Sequence, residues 1–271
     1  MLSTRILTAL LLAPPVLAVM FFAPAWAFEL LVGVAFTFAA WEWGALMSCT
    51  RRRTRGLYAL LVAALLAATS WALREWAGVL PALIALALAW WAFVLAWLVF
   101  HPQRAPSHSV YGLKGLCGLL TLVPAFAAVS MLHRDQGAWL VLFLLALVWL
   151  ADVGAYFFGR AFGRHKLAPQ VSPGKTWEGV VGAYVATAFV VVAGWAAGLA
   201  FGPVWYFALV CLLTVAISII GDLAESMFKR QQGVKDSGTL LPGHGGMLDR
   251  IDSLTSAAPA FTGGLLFAGQ F

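Results

Sequence analysis

Residues 137–159 read GAWLVLFLLALVWLADVGAYFFG. At 1.5 Å per residue such a run, as a helix, crosses the roughly 30 Å hydrocarbon core of a bilayer. Its one charge, Asp152, sits near the end that leads into the polar stretch GRAFGRHKLAPQ, residues 159–170. The run predicts a transmembrane helix with a carboxylate at one end.

Working outward, similar runs of about 20 residues fall near 5–24, 25–48, 56–73, 78–100, 113–132, 178–199, 203–225 and 252–269. The chain therefore predicts an all-α, polytopic integral membrane protein with about nine transmembrane helices. Composition agrees: of 271 residues 62% are hydrophobic and 10% charged, against roughly 25% charged in soluble domains. The first two runs are joined by APAWA (23–27), which suits a tight hairpin, and Pro14-Pro15 is expected to kink the first. Arg5, an apolar core and Ala25-Trp26-Ala27 also form a signal-like pattern, although the apolar run is long for a signal. Cys49, Cys117 and Cys211 lie in or beside apolar runs and read as small buried hydrophobes.

The net charge of +6 would suit nucleic acid. Its placement explains it otherwise. With the N-terminus in the cytoplasm, Arg5, Arg51, Arg52, Arg53, Arg55, Arg104, Lys114, Arg160, Arg164, Lys166, Lys175, Lys229, Arg230, Lys235 and Arg250 all face inward, and only Arg74 and Arg134 face outward. This is the positive-inside pattern. No nucleic-acid partner is expected, and membrane lipids are. Residues 1–136 then hold spans one to five. Residues 137–271 are expected to form the C-terminal transmembrane region, with cytoplasmic loops at 160–177 and 226–251.

Carboxylates inside spans are costly and by default point to function. Glu42, Asp152, Asp222 and Glu225 lie near the cytoplasmic ends of their spans. For Glu42 the expectation is a structural one, pairing with an arginine or reaching the surface. Asp222 and Glu225 share a helix face and open the most polar segment, GDLAESMFKRQQGVKDSGTLLPGHGGMLDRID, 221–252. Carboxylates mixed with cations beside glycine-rich turns suit Mg²⁺ with phosphate. One histidine, His244, is weak evidence for zinc, and a phosphate contact or a structural hydrogen bond suits it better.

A second polar stretch, VSPGKTWEGVVG (171–182), contains Gly174-Lys175-Thr176. It is not a Walker loop. The required earlier glycine is replaced by Pro169, and no apolar strand precedes it. Ser172, Lys175, Thr176 and Glu178 read instead as a phosphate-contacting loop leading into a span.

Taken in order, Ser226-x-x-Lys229-Arg230, Lys235-Asp236-x-Gly238 and Pro242-x-His244-Gly245-Gly246-x-x-Asp249-Arg250-x-Asp252 resemble the signature of the phosphatidate cytidylyltransferases. DVGAYFFGRAFGRHK (152–166) and SPGKTWEG (172–179) resemble upstream motifs of that family, with Gly174 where the family commonly has lysine. The resemblance covers roughly 150–252. It implies the reaction CTP + phosphatidate → CDP-diacylglycerol + pyrophosphate with Mg²⁺, a second ion such as K⁺, and a homodimer. The expected location is a bacterial-type inner (plasma) membrane with the site facing the cytoplasm. By matching positions, Asp222 and Asp249 would be the metal pair, with Lys229, Arg230, Lys235, Asp236, His244 and Arg250 catalytic. Ser172, Lys175, Thr176, Glu178, Ser226, Gly245, Gly246 and Asp152 would bind substrate. Two close carboxylates repel unless a cation intervenes, and Mg²⁺ is the simplest one.

Two other readings compete. A CTP-dependent lipid kinase would transfer the γ-phosphate instead of the cytidylyl group. A secondary transporter would use its acids as an ion path near the midplane and show related halves, but this chain has no visible repeat and its acids crowd one end. The Asp-Gly-x-x-Ala-Arg run of the CDP-alcohol phosphotransferases is absent.

Overall fold

The computed structural model describes the backbone of residues 2–49, 51–100, 111–240, 243 and 245–271, with side chains from residue 11 onward except Tyr111. The described chain is an integral membrane bundle of long helices. They are α1 (Leu2–Phe22), α2 (Ala25–Leu46), α3 (Arg52–Glu75), α4 (Val79–Phe100), α5 (Tyr111–Met131), α6 (Ala138–Phe162), α7 (Trp177–Ala196), α8 (Val204–Gln231) and α9 (Leu248–Phe267). Each corresponds to one expected apolar run. Ala23 and Pro24 alone separate α1 from α2, and α1 runs on through Pro14 and Pro15. A short π-helical turn, Leu132–Gln136, continues α5.

Seven described helices, α2 to α8, are long and apolar enough to cross a membrane. α9 falls short because it carries Asp249, Arg250, Asp252 and several hydroxyls. Its position accounts for this. α9 packs against α2, α4, α5, α6 and α8, and Ser253, Thr255, Ser256, Ala257, Ala258, Phe261 and Thr262 are buried. A helix wrapped by protein can carry polar groups that lipid would reject. Ser256 Oγ donates to Ile217 O of α8 at 2.9 Å. A Cβ at Gly221 would collide with that hydroxyl, so glycine sets the α8–α9 approach. Gly154 of α6 and Gly182 of α7 permit a similar backbone approach.

Contacts group at the two ends of the bundle as alternating helix directions require. At one end Trp43 Nε1 donates to Lys114 O and Tyr58 OH to Gly115 O, both at 2.9 Å. At the other, Arg74 pairs with Glu29 at 2.7 Å, His133 Nε2 meets Met20 O at 2.8 Å, and Gln136 Nε2 donates to Gln270 O.

Two features differ from the sequence expectation. The 160–177 segment is not an open loop: Lys166–Ala168 (β1) and Ser172–Thr176 (β2) pair antiparallel, Lys166 opposite Thr176 and Ala168 opposite Ser172. Buried Val171 at the turn anchors this hairpin in an apolar cluster with Trp43, Met227 and Leu248. The 226–251 segment is shorter as a loop, because α8 continues to Gln231 and α9 begins at Leu248. The extra turns of α8 are held by burial of Ser226, Met227, Phe228 and Lys229.

Candidate active site

The polar residues at the Glu42 end gather around one face of α8. Asp222, Glu225, Ser226 and Lys229 are spaced by three and four, so they align along that face. Asp222 and Lys229, seven residues apart, stand about 10 Å apart along the axis. They anchor two separate polar nodes.

In the first node Lys175 Nζ lies 2.6 Å from Asp222 Oδ2, with side chains 25% and 28% exposed. The β-hairpin places the lysine there, since β2 runs alongside α8. Ser226 Oγ donates to Asp222 Oδ1 at 3.3 Å. Asp152 on α6 and Asp252 on α9 are near enough to feel Asp222's charge. Asp152 is exposed, and Asp252 Oδ1 accepts from Ser253 N at 2.7 Å.

The second node is almost closed to solvent. Lys229 Nζ contacts Asp249 Oδ1 at 2.8 Å and Glu225 Oε1 at 3.0 Å, with Lys229 9% and Asp249 6% exposed. Asp249 also accepts from Ser237 N at 2.9 Å and Gly246 N at 2.8 Å. Gly245 is glycine for two reasons. Its φ is +82°, and a Cβ would stand 2.8 Å from Asp249 Oδ2.

Other predicted site residues have varied places. Thr176 is buried, and its Oγ1 accepts from Gly179 N at 3.1 Å, capping α7. Glu178, in the first turn of α7, accepts from His165 N at 3.2 Å and contacts His165 Nδ1 at 2.7 Å. Ser172 opens β2 and is half-buried. Arg230, Lys235, Asp236 and Arg250 are exposed, and Arg230 donates to Val234 O at 3.2 Å. His244 lies outside the described residues, as do Arg104 and Pro242.

Asp222 and Asp249, the expected metal pair, belong to different nodes in the structure. Each carboxylate already has a lysine. Among the described residues, no three His, Cys, Asp or Glu side chains close into a metal-holding group. Mg²⁺ needs only one or two carboxylates when phosphates and water complete its shell. Half-exposed Asp222 fits that need. Asp249 fits less well, because Lys229, Ser237 N and Gly246 N already occupy its oxygens.

Glu42 departs from its expectation. Among the described residues it pairs with no arginine, and it is buried. Oε2 accepts from Ser237 Oγ at 3.0 Å and Leu248 N at 2.8 Å, and Oε1 from Met247 N at 3.0 Å. The single signal in the sequence was a carboxylate inside an apolar run. Its partners lie some two hundred residues away and could not be read from it.

Comparison with known proteins follows this geometry. A model of the Cytidylyltransferase family matches residues 3–266. A phosphatidate cytidylyltransferase of Pseudomonas aeruginosa is 43% identical over 271 residues, covering 99% of this chain and 98% of that protein. One of Haemophilus influenzae is 38% identical over 282 residues, covering 97% and 98%. One of Brucella suis is 50% identical over 136 residues, covering 48% of this chain and 49% of that protein.

Proposed function

Because the chain belongs to the cytidylyltransferase family, we propose that it transfers the cytidylyl group of CTP to phosphatidate, releasing pyrophosphate. One observation carries this reading beyond family membership. Both lysine–carboxylate nodes lie at one end of a lipid-facing bundle, where a membrane phosphate and a soluble triphosphate can meet. The positive-inside charge pattern supports placing that end in the cytoplasm.

The chemistry asks little of a general base. A phosphate oxygen of phosphatidate is already anionic and attacks the α-phosphorus of CTP. A new P–O bond forms, the bond between the α-phosphorus and its bridging oxygen breaks, and pyrophosphate leaves with the electron pair. The protein must orient the two phosphates and offset developing charge. Lys175, half-exposed and carried on a rigid hairpin, would move from Asp222 to a triphosphate oxygen. Exposed Arg230, Lys235 and Arg250 would add cations around the loop. Lys229 is buried and doubly paired, so it would hold Asp249 rather than touch substrate.

A magnesium ion would be held by Asp222, with Asp152 and Asp252 nearby. Asp249 would join only by exchanging one of its present donors. When bound, the ion would act as a Lewis acid on phosphate oxygens.

The test is purified protein in lipid–detergent micelles with Mg²⁺, phosphatidate and CTP labelled at the α- or the γ-phosphate. Label from the α-phosphate entering lipid, with pyrophosphate released in equal amount, is the expected outcome. γ-Label in the lipid would support the kinase reading, and no lipid product with either label would overturn both.

A further inference from the structure

Glu42 lies on α2, in the half of the chain that otherwise offers apolar spans, and is 3% exposed. Three donors converge on it: Ser237 Oγ, Met247 N and Leu248 N. A Cβ on Gly238 or Gly246 would collide with the same carboxylate, so the α8–α9 connection closes on it at two points. Asp249 grips that connection from the other side through Ser237 N and Gly246 N. Ser237 is shared. Its backbone serves Asp249 and its hydroxyl serves Glu42.

We propose that Glu42 is a positioning residue for the transfer reaction: with Asp249 it forms a two-carboxylate clamp on the α8–α9 connection. The clamp holds the start of α9, and with it Asp249, against Lys229. The inference rests on the cytidylyl-transfer reading and adds a residue from the N-terminal half to it. A carboxylate has only acceptors, so it satisfies all three donors at once. A glutamine of the same length brings one acceptor oxygen and an NH₂ that must face an N–H or an O–H. The connection then loses a bond and gains a buried unpaired donor. The apolar packing of α2 through Phe36, Ala40, Trp43 and Leu46 is untouched by that change.

The experiment compares wild type, Glu42→Gln, Ser237→Ala and the double variant as full-length protein in lipid micelles. It reads kcat/KM for CTP per folded molecule, KM for phosphatidate, and amide hydrogen exchange at Ser237, Met247 and Leu248. Glu42→Gln should lower kcat/KM for CTP by about tenfold or more, the size of a lost charged hydrogen bond. KM for phosphatidate should stay within about twofold, because the clamp acts on the loop and not on the lipid face. The double variant should be little worse than Glu42→Gln, since the shared bond is lost only once. Exchange should quicken at those three amides. Wild type making no CDP-diacylglycerol would overturn the reaction reading. Active wild type, with Glu42→Gln within twofold of it and exchange unchanged, would overturn the clamp. If Glu42→Gln does not fold, Ser237→Ala decides: wild-type kcat/KM and exchange in that variant sink the proposal.

Discussion

Replacing Lys175 with alanine separates a phosphate ligand from a charge that only sets topology. In the structure its partner is Asp222 at 2.6 Å, and both side chains are about a quarter exposed. An ion pair this open to solvent is worth less than about 1 kcal/mol to stability. Asp222 keeps Ser226 and water when the lysine is gone, and Thr176 still caps α7. The bundle should therefore melt within a few degrees of wild type. A charge-assisted contact to a triphosphate oxygen is worth about 1.5–3 kcal/mol, so kcat/KM for CTP should fall roughly 10- to 100-fold. The assay is initial-rate pyrophosphate release across a CTP series at fixed phosphatidate, paired with a thermal melt of the same sample. Unchanged kinetics would return Lys175 to a topological role. A loss of activity tracking a loss of folded protein would show that the Lys175–Asp222 pair is structural.

The two aspartates should part company. Asp222→Asn should cut Mg²⁺-dependent turnover at least about 100-fold, as removal of a charge that stabilises the transition state does, with melting little changed; near wild-type turnover at equal Mg²⁺ would refute it. Asp249→Asn breaks a pair with side chains 9% and 6% exposed, a loss on the order of 3 kcal/mol, so it should lower the melting temperature as well as activity; an unshifted melt would refute its anchoring role. For topology, single cysteines at exposed Thr239 and exposed Asp135, in a background lacking Cys49, Cys117 and Cys211, should react with an impermeant thiol reagent from opposite sides of the membrane. Reaction from the same side would overturn the alternation of helices.

The helical membrane bundle was legible in the sequence because hydrophobic length is a local property. Each apolar run became one helix at nearly its expected bounds. α9 was foreseen at 252–269, yet it begins at Leu248, because its polar first turn is stabilised by partners that no window of sequence contains. The chemistry-bearing types were legible too, since lysines, aspartates and glycines at 172–179 and 221–252 stand out against an apolar background.

Which of them meet was decided only in three dimensions. Lys175 reaches Asp222 because a hairpin, anchored by Val171, lays β2 beside α8. Asp249 is held by Lys229 and two backbone amides. Glu42 is joined to Ser237 and Leu248 from the far side of the chain. Hydrophobic runs are determined by neighbours in sequence, whereas hydrogen-bonded carboxylates are determined by neighbours in space. Burial makes those spatial neighbours obligatory, because a carboxylate out of water must find donors wherever the fold brings them.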